Sequence, residues 1–226
     1  MSRDLVIKLV RHGQSLANVD AFDPQKHGDF RTPLSPLGMV QARDAGSALG
    51  AEFVRGSLVY TSPYHRTLET LSALLEGAAV DRATTSGIYE DPRLREQDHG
   101  YADVKGQEPL RETHGWFYYR YEGGESPADC YDRVSGFLEG MMRQVERKNA
   151  ERVVIVTHGM AIRCFVMRYL HLSVEEFEKI ENPKNGAIVT IARRGAMSDF
   201  YAQSETWQVS GLRTRSPLPV SSNNGA

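Results

Sequence analysis

The segment Arg11-His12-Gly13 follows directly on the apolar run Leu5-Val6-Ile7-Lys8-Leu9-Val10, whose length and branched residues read as a buried strand. An arginine offers a fixed fork of donors that suits phosphate, and an imidazole titrates near neutrality. Open α/β sheets bind ligands at the carboxyl ends of their strands, so an Arg-His pair set there is equipped to meet an anion. A solvated Arg-His in a turn would look the same in so short a segment. The pattern recurs, however. Val153-Val154-Ile155-Val156-Thr157 is a second β-branched run, and it ends in His158-Gly159. A third run, Leu58-Val59-Tyr60, leads into Thr61-Ser62-Pro63-Tyr64-His65-Arg66-Thr67. Here Ser62 is expected to cap a helix with Pro63 at its first position, which puts Arg66 in the first turn among N–H groups that face an anion.

These pieces need a scaffold that brings several strand ends to one edge. Strands are expected at Leu5–Val10, Leu58–Thr61, Thr84–Ile88, Val153–Thr157 and Ala187–Ile191. Helical patterns run from the Ser35-Pro36 cap to about Leu49, from Pro63 to about Leu75, after Ser126, and after His158. Ser126 and Asp129 have capping-box spacing, and Tyr131, Val134, Leu138, Met141 and Val145 recur with helical period. Strands alternating with helices imply an α/β fold, a three-layer α/β/α sandwich around a mostly parallel central sheet. In parallel strands His12 and His158 would come together.

The chain has 226 residues, enough for one sizeable core, and its charges nearly balance: 27 Lys and Arg against 29 Asp and Glu. No global basic field points to nucleic acid, so affinity for phosphate must be local. The short apolar run near the N-terminus reads as neither a signal peptide nor a membrane span, and a cytoplasmic protein without a membrane partner is expected. Cys130 and Cys164 fall inside amphipathic patterns and read as small buried hydrophobes. Of the seven histidines none stands in a metal-ligand pattern, and no metal or cofactor is expected. His27, His65, His99, His114 and His171 read as surface or packing residues.

Six ordered motifs over roughly residues 5 to 195 carry a resemblance: Arg11-His12-Gly13-Gln14-Ser15-Leu16-Ala17-Asn18, Thr32-Pro33-Leu34-Ser35-Pro36-Leu37-Gly38, Thr61 through Thr70, Leu94-Arg95-Glu96-Gln97-Asp98-His99-Gly100, Gly123-Gly124-Glu125-Ser126, and Val156-Thr157-His158-Gly159. In these the chain resembles the histidine phosphatase superfamily, in its phosphoglycerate-mutase-like branch. The resemblance implies a catalytic domain over residues 1–209 with a cap-like insert at about 97–125; residues 210–226 read by composition as a disordered tail.

The same resemblance implies that His12 is a nucleophile carrying a phosphohistidine. Arg11, Arg66 and His158 would disfavour a second proton on His12. Together with Asn18 and Gly159 they would hold the transferred phosphate. Asn18 could equally serve as a local cap. An alkoxide leaves poorly until protonated, and Glu96 matches the family's general acid, with Asp98 and Glu125 as competitors. The stretch between Glu96 and Gly123 is shorter than in the cofactor-dependent mutases and lacks their paired arginines. A mutase must hold a bisphosphorylated intermediate while it reorients, whereas a phosphatase needs only to admit water. The expected function is therefore that of the branch's broad-specificity acid phosphatases, metal-independent and acting on a small phosphorylated substrate. The alternatives are a 2,3-bisphosphoglycerate-dependent mutase and a non-catalytic phospholigand-binding module. Trp116, Phe117, Tyr118, Tyr119 and Tyr121 are expected to pack rather than to wall the cleft, while Arg111 and Arg120 could reach a substrate anion. Oligomeric state is not legible.

Overall fold

In the computed structural model, which describes residues 5–101, 103–197, 202–203 and 206–215, the run after Leu5 forms strand β1 (Val6–Arg11) at the centre of a sheet. Along the chain follow α1 (Pro24–His27), α2 (Pro36–Leu49), α3 (Ala51–Arg55), β2 (Leu58–Thr61), α4 (His65–Gly77) and β3 (Ile88–Glu90). Then come α5 (Glu108–His114), α6 (Pro127–Lys148), β4 (Arg152–Thr157), α7 (Gly159–Leu170), α8 (Val174–Lys179), β5 (Ile188–Arg193), β6 (Ala202–Gln203) and β7 (Trp207–Ser210). The sheet order among the described strands is β3-β2-β4-β1-β5-β7-β6. The expected parallel sheet is found in β3-β2-β4-β1, and beyond β1 the added strands β5, β7 and β6 pair antiparallel, so the sheet is mixed.

Helices cover both faces, because successive strand residues point to opposite sides. Leu5, Ile7 and Leu9 turn toward α6 and α7, where Val134, Phe137, Met141, Ile162 and Phe165 complete a core. Val10, Val59, Val154 and Val156 turn the other way, onto Ala45, Leu49, Leu71 and Leu74 of α2 and α4. Helices α2 and α4 touch backbone to backbone: a Cβ on Gly46 would lie 2.0 Å from the carbonyl oxygen of Leu74, and one on Gly77 would lie 2.0 Å from that of Arg43.

Register is what positions the site. Arg11 is paired with Thr157, and Thr61 with Val156, so the ends of β1, β4 and β2 lie side by side. The next residues extend the ladder, with His12 N donating to Thr157 O at 2.9 Å and Ser62 N to Val156 O at 3.0 Å.

Four expectations require correction. The helix expected from Pro63 begins at His65 with Tyr64 as its N-cap. The Thr61 hydroxyl donates to the Ser62 carbonyl at 3.0 Å and the Thr67 hydroxyl lies 2.6 Å from the Tyr64 carbonyl and 2.9 Å from that of Ser62, so residues 63–64 make a bend ahead of the helix. The strand expected over Thr84–Ile88 starts only at Ile88, because Asp81 caps a 3-10 turn over Arg82–Thr84 through the Ala83 amide. β7 was not expected. Nor does the chain leave the fold at Ser210: Arg213 O accepts from Glu181 N, and Arg215 N donates to Lys179 O, each at a distance under 3 Å (2.9 and 2.8 Å). Residues 216–226 lie outside the described residues. The capping box at Ser126 is formed as expected.

Candidate active site

His12 is buried at the end of β1 and forms part of the wall of a cavity of about 780 Å³. Its Nδ1 lies 2.7 Å from the carbonyl oxygen of Gly13. A carbonyl can only accept, so Nδ1 carries the proton and Nε2 carries the lone pair. Burial first, then the charge of Arg66, with a further push from Arg11 against the pull of the Gly13 bond, lower the His12 pKa to about 3. The imidazole is neutral at any physiological pH. Gly13 itself is pinned by the Thr70 hydroxyl at 3.1 Å and lies so close to α2 that a Cβ would meet Gly38 O at 2.2 Å.

Two guanidiniums flank this ring. Arg11 donates through one terminal nitrogen to Pro183 O at 2.6 Å, while its buried Nε has no partner. Arg66 lies in the first turn of α4, as expected, but its fork is occupied: it donates to both carboxylate oxygens of Asp29, at 2.9 and 3.0 Å, and to the Asp29 carbonyl at 2.8 Å. The loop carrying Asp29 has no periodicity that could have announced this contact.

His158 is fully buried behind the cavity wall, between the rings of His12 and Tyr64, each 5.2 Å away between centroids. Its Nε2 is hydrogen-bonded to the Ser62 hydroxyl at 2.9 Å and its Nδ1 is buried without a partner. Burial, the Arg66 charge and the neighbouring His12 hold its pKa well below that of a free histidine. Gly159 opens α7 beneath Asn182, whose Oδ1 would be 3.0 Å from an added Cβ. Neither His158 nor Gly159 reaches the cavity surface.

Asn18 does line the cavity, and it is also a cap. Its Oδ1 accepts from Ser15 N at 3.0 Å and from Asn185 Nδ2 at 3.2 Å, which leaves the amide NH2 as the limb for a ligand.

Glu96 stands across the cavity, with its carboxylate on the first turn of α7: Met160 N donates to Oε1 at 3.1 Å. It is close enough to Arg11 for their charges to interact. The competitor Glu125 faces away from the cavity, bound by Arg95 and Arg133. Burial alone would raise the Glu125 pKa, but the hydrogen bonds and charge of Arg133 outweigh it and keep the group below the ordinary range. Asp98 lines the cavity and bends back to accept from Gly100 N at 2.8 Å. Arg133 was missed in the sequence. It donates to the carbonyls of Arg93, Arg95 and Glu96, at 2.7, 2.8 and 3.1 Å, and so fixes the segment that carries Glu96.

Arg111 and Arg120 do not reach the site. Arg111 is buried between Trp116 and Tyr121 with Glu108 as its ion partner, and Arg120 is paired with Asp129. Phe117 and Tyr121 are buried and Trp116 packs on Phe177, as expected, whereas Tyr118 is exposed. Cys130 and Cys164 are buried free thiols. Among the described residues no group of three or more His, Cys, Asp or Glu is placed to hold a metal ion, and no helix is long and apolar enough to cross a membrane.

A mixed sheet flanked by helices, with Arg-His and His-Gly at adjacent parallel strand ends, defines an α/β protein of phosphoglycerate-mutase-like architecture. The chain belongs to the histidine phosphatase superfamily (branch 1), whose family model matches residues 7–202. It is 37% identical over 200 residues to phosphoglycerate mutase-like protein AT74 of Arabidopsis thaliana, covering 80% of this chain but 63% of that protein's length. It is 26% identical to the broad-range acid phosphatase DET1 of Saccharomyces cerevisiae, covering 84% of this chain and 86% of the relative. Among solved structures, a mycobacterial glucosyl-3-phosphoglycerate phosphatase complexed with VO3 shares the fold with a TM-score of 0.66 at 23% identity, over 93% of this chain and 96% of that one.

Proposed function

We propose that this protein is a phosphomonoesterase that hydrolyses small phosphorylated metabolites through a phosphohistidine on His12, with Glu96 as general acid and without a metal. The observation that carries this reading is the Nδ1 bond of His12 to Gly13 O, which commits the lone pair to Nε2 in a ring kept neutral by burial and two arginines. In the first step Nε2 attacks phosphorus, the bond to the ester oxygen breaks, and the proton on Glu96 passes to that oxygen. In the second step water attacks the phosphorus, Glu96 takes a proton from it, and the P–N bond breaks to release phosphate. Arg11, Arg66 and the Asn18 amide would hold the equatorial oxygens as charge builds on them. The buried, unpartnered Nε of Arg11, a residue of the cavity wall, supports this assignment, since a polar atom buried without a partner beside a cavity is what a bound anion would satisfy.

The acid phosphatase and phosphatase neighbours in the comparisons support hydrolysis, while other relatives at about this similarity are mutases: a 2,3-bisphosphoglycerate-dependent enzyme of Gloeobacter violaceus is 30% identical over 78% of this chain. Engagement of Arg111 and Arg120 elsewhere favours the phosphatase, because neither is offered to a second phosphate. The test is phosphate release from a panel of phosphomonoesters in EDTA, by wild type and His12→Ala, with and without 2,3-bisphosphoglycerate. Release lost in the variant, with an acid-labile phosphoenzyme trapped in the wild type, is the expected result. Isomerisation of 3-phosphoglycerate stimulated by the bisphosphate would establish the mutase instead. Ligand binding without turnover would leave the non-catalytic module.

A further inference from the structure

The charge on the cavity wall is uneven in a way that constrains the alcohol half of the substrate. Among the described residues its arginines and lysines are Arg11 and Arg66 alone. Both belong to the His12 end. Three carboxylates besides Glu96 also line it, Asp29 on Arg66 itself and those of Asp23 and Asp98, together with Gln25, Gln97, Phe30 and Tyr101. Three cations next in sequence to lining residues are engaged. Lys26 is paired with Asp23 at 3.2 Å, Arg31 lies over the Phe30 ring at 5.1 Å, and Arg95 is bound to Glu125. Asp29 sits bidentate on Arg66 and also cancels the outward charge of that guanidinium. Asp29 and Asp98 both act electrostatically on the Tyr64 phenol, as do Arg66 and Arg95, and of these four charges the two arginines are each held by a carboxylate, Asp29 and Glu125, while Asp98 has no ion-pair partner among the described residues.

We infer that the site selects phosphomonoesters whose alcohol portion carries hydroxyl or ammonium donors and no second anion, with Asp29 and Asp98 as the specificity-determining residues. The inference rests on the phosphatase reading for its turnover, and on the lining charges alone for its binding order. A substrate with one phosphate meets both arginines. A substrate that adds a carboxylate must set it against Asp98, which no ion pair among the described residues answers, or against Asp29, which already occupies the fork of Arg66, and like charges held in a partly enclosed site discriminate strongly. Hydroxyl and ammonium groups find acceptors in the same carboxylates and in the Gln25 and Gln97 side chains.

The experiment compares two size-matched pairs, glycerol 3-phosphate against 3-phosphoglycerate and phosphoethanolamine against phosphoglycolate. kcat/KM is measured with wild type, and binding by calorimetry with His12→Ala, which cannot turn the ligands over. The expected result is a preference of about tenfold for the first member of each pair, the discrimination produced by one poorly screened like-charge contact. The preference should shrink as salt is raised. Asp98→Asn, which keeps the acceptor for Gly100 N, and Asp98→Asn combined with Asp29→Asn should bring the ratio to about two, chiefly by improving the carboxylate members. Hydrolysis absent with the binding order intact would refute the phosphatase reading and leave this inference standing. Equal or reversed binding order in wild-type-lined sites, at low salt, would overturn the inference whatever the turnover.

Discussion

The rings of His12 and His158 meet edge to face, with centroids 5.2 Å apart and an interplanar angle of 63°. They arrive there on β1 and β4, neighbouring parallel strands whose ends are in register, and each is held neutral by burial and by the guanidinium of Arg66. Two uncharged imidazoles can touch where two imidazolium ions could not. The contact therefore depends on pH, and so does part of the protein's stability.

A histidine whose folded pKa lies below its unfolded value makes the unfolded state bind more protons as pH falls. For His12 the window runs from about 6.5 down to about 3. Stability conferred by keeping the ring neutral is present above that window and is lost as pH falls through it, at up to about 1.4 kcal/mol per pH unit. Urea unfolding at pH 7, 5.5 and 4.5 should show His12→Gln losing less stability than wild type between the first and last. Identical slopes would mean that the ring is protonated in the folded protein.

Ser62→Ala removes the hydroxyl that orients His158 at 2.9 Å. His158 would keep its place in the core but lose the bond that fixes its rotation, leaving a second buried ring nitrogen unsatisfied at a cost of about 1–3 kcal/mol. We expect a fall of about tenfold in kcat for phosphate release. Wild-type kcat in a folded Ser62→Ala protein would show that the orientation of His158 is immaterial.

Much of this architecture was legible in the sequence because it rests on local rules. β-branched runs placed β1, β2 and β4, and serine caps placed the starts of α2 and α6, since each signal acts within a few residues. What could not be read depends on contacts between distant segments. Ser62 has the residue type and the following proline of a helix cap, yet its hydroxyl is taken by His158, 96 positions away. Asp29 opens a single 3-10 turn, Asp29–Arg31, that no sequence periodicity announces, and only the folded chain lays it on Arg66. Arg133 reads as one polar position on an amphipathic helix, although its partners are backbone carbonyls that no side-chain pattern encodes.

Gly46 tests the close approach of α2 and α4. An alanine there would drive its Cβ into the carbonyl of Leu74, a backbone atom that cannot swing aside. Gly46→Ala should lose about 3 kcal/mol in urea unfolding despite the better helix propensity of alanine. An unchanged or raised midpoint would mean the helices can separate without loss.

Glu96→Gln separates the role of the acid from that of the site as a whole. A nitrophenolate leaves without help, whereas an alkoxide needs a proton, so the variant should slow alkyl phosphates by about 10²-fold or more and nitrophenyl phosphate far less. The glutamine retains an oxygen to accept from Met160 N, which now lies 3.1 Å from Oε1, so the fold should persist. Equal slowing of both esters would remove Glu96 from the role. Asp98, also on the cavity wall, would then be the residue to test.

Arg133 extends the same test to the support of that acid. Its guanidinium bridges the carboxylate of Glu125 and the carbonyls of Arg93, Arg95 and Glu96 itself. A lysine retains the charge but has one nitrogen where the arginine uses three, so it cannot hold Glu125 and all three carbonyls together. A shift of about 1 Å in a positioned group can cost about 10²-fold in rate. Arg133→Lys should therefore reproduce the Glu96→Gln pattern in milder form, slowing alkyl phosphates more than nitrophenyl phosphate with KM for the latter little changed. In the doubly substituted protein the Arg133→Lys penalty on alkyl phosphates should largely vanish, because the proposed acid is no longer there to misplace. Additive losses in that cycle would show instead that Arg133 supports the fold and not the placement of Glu96.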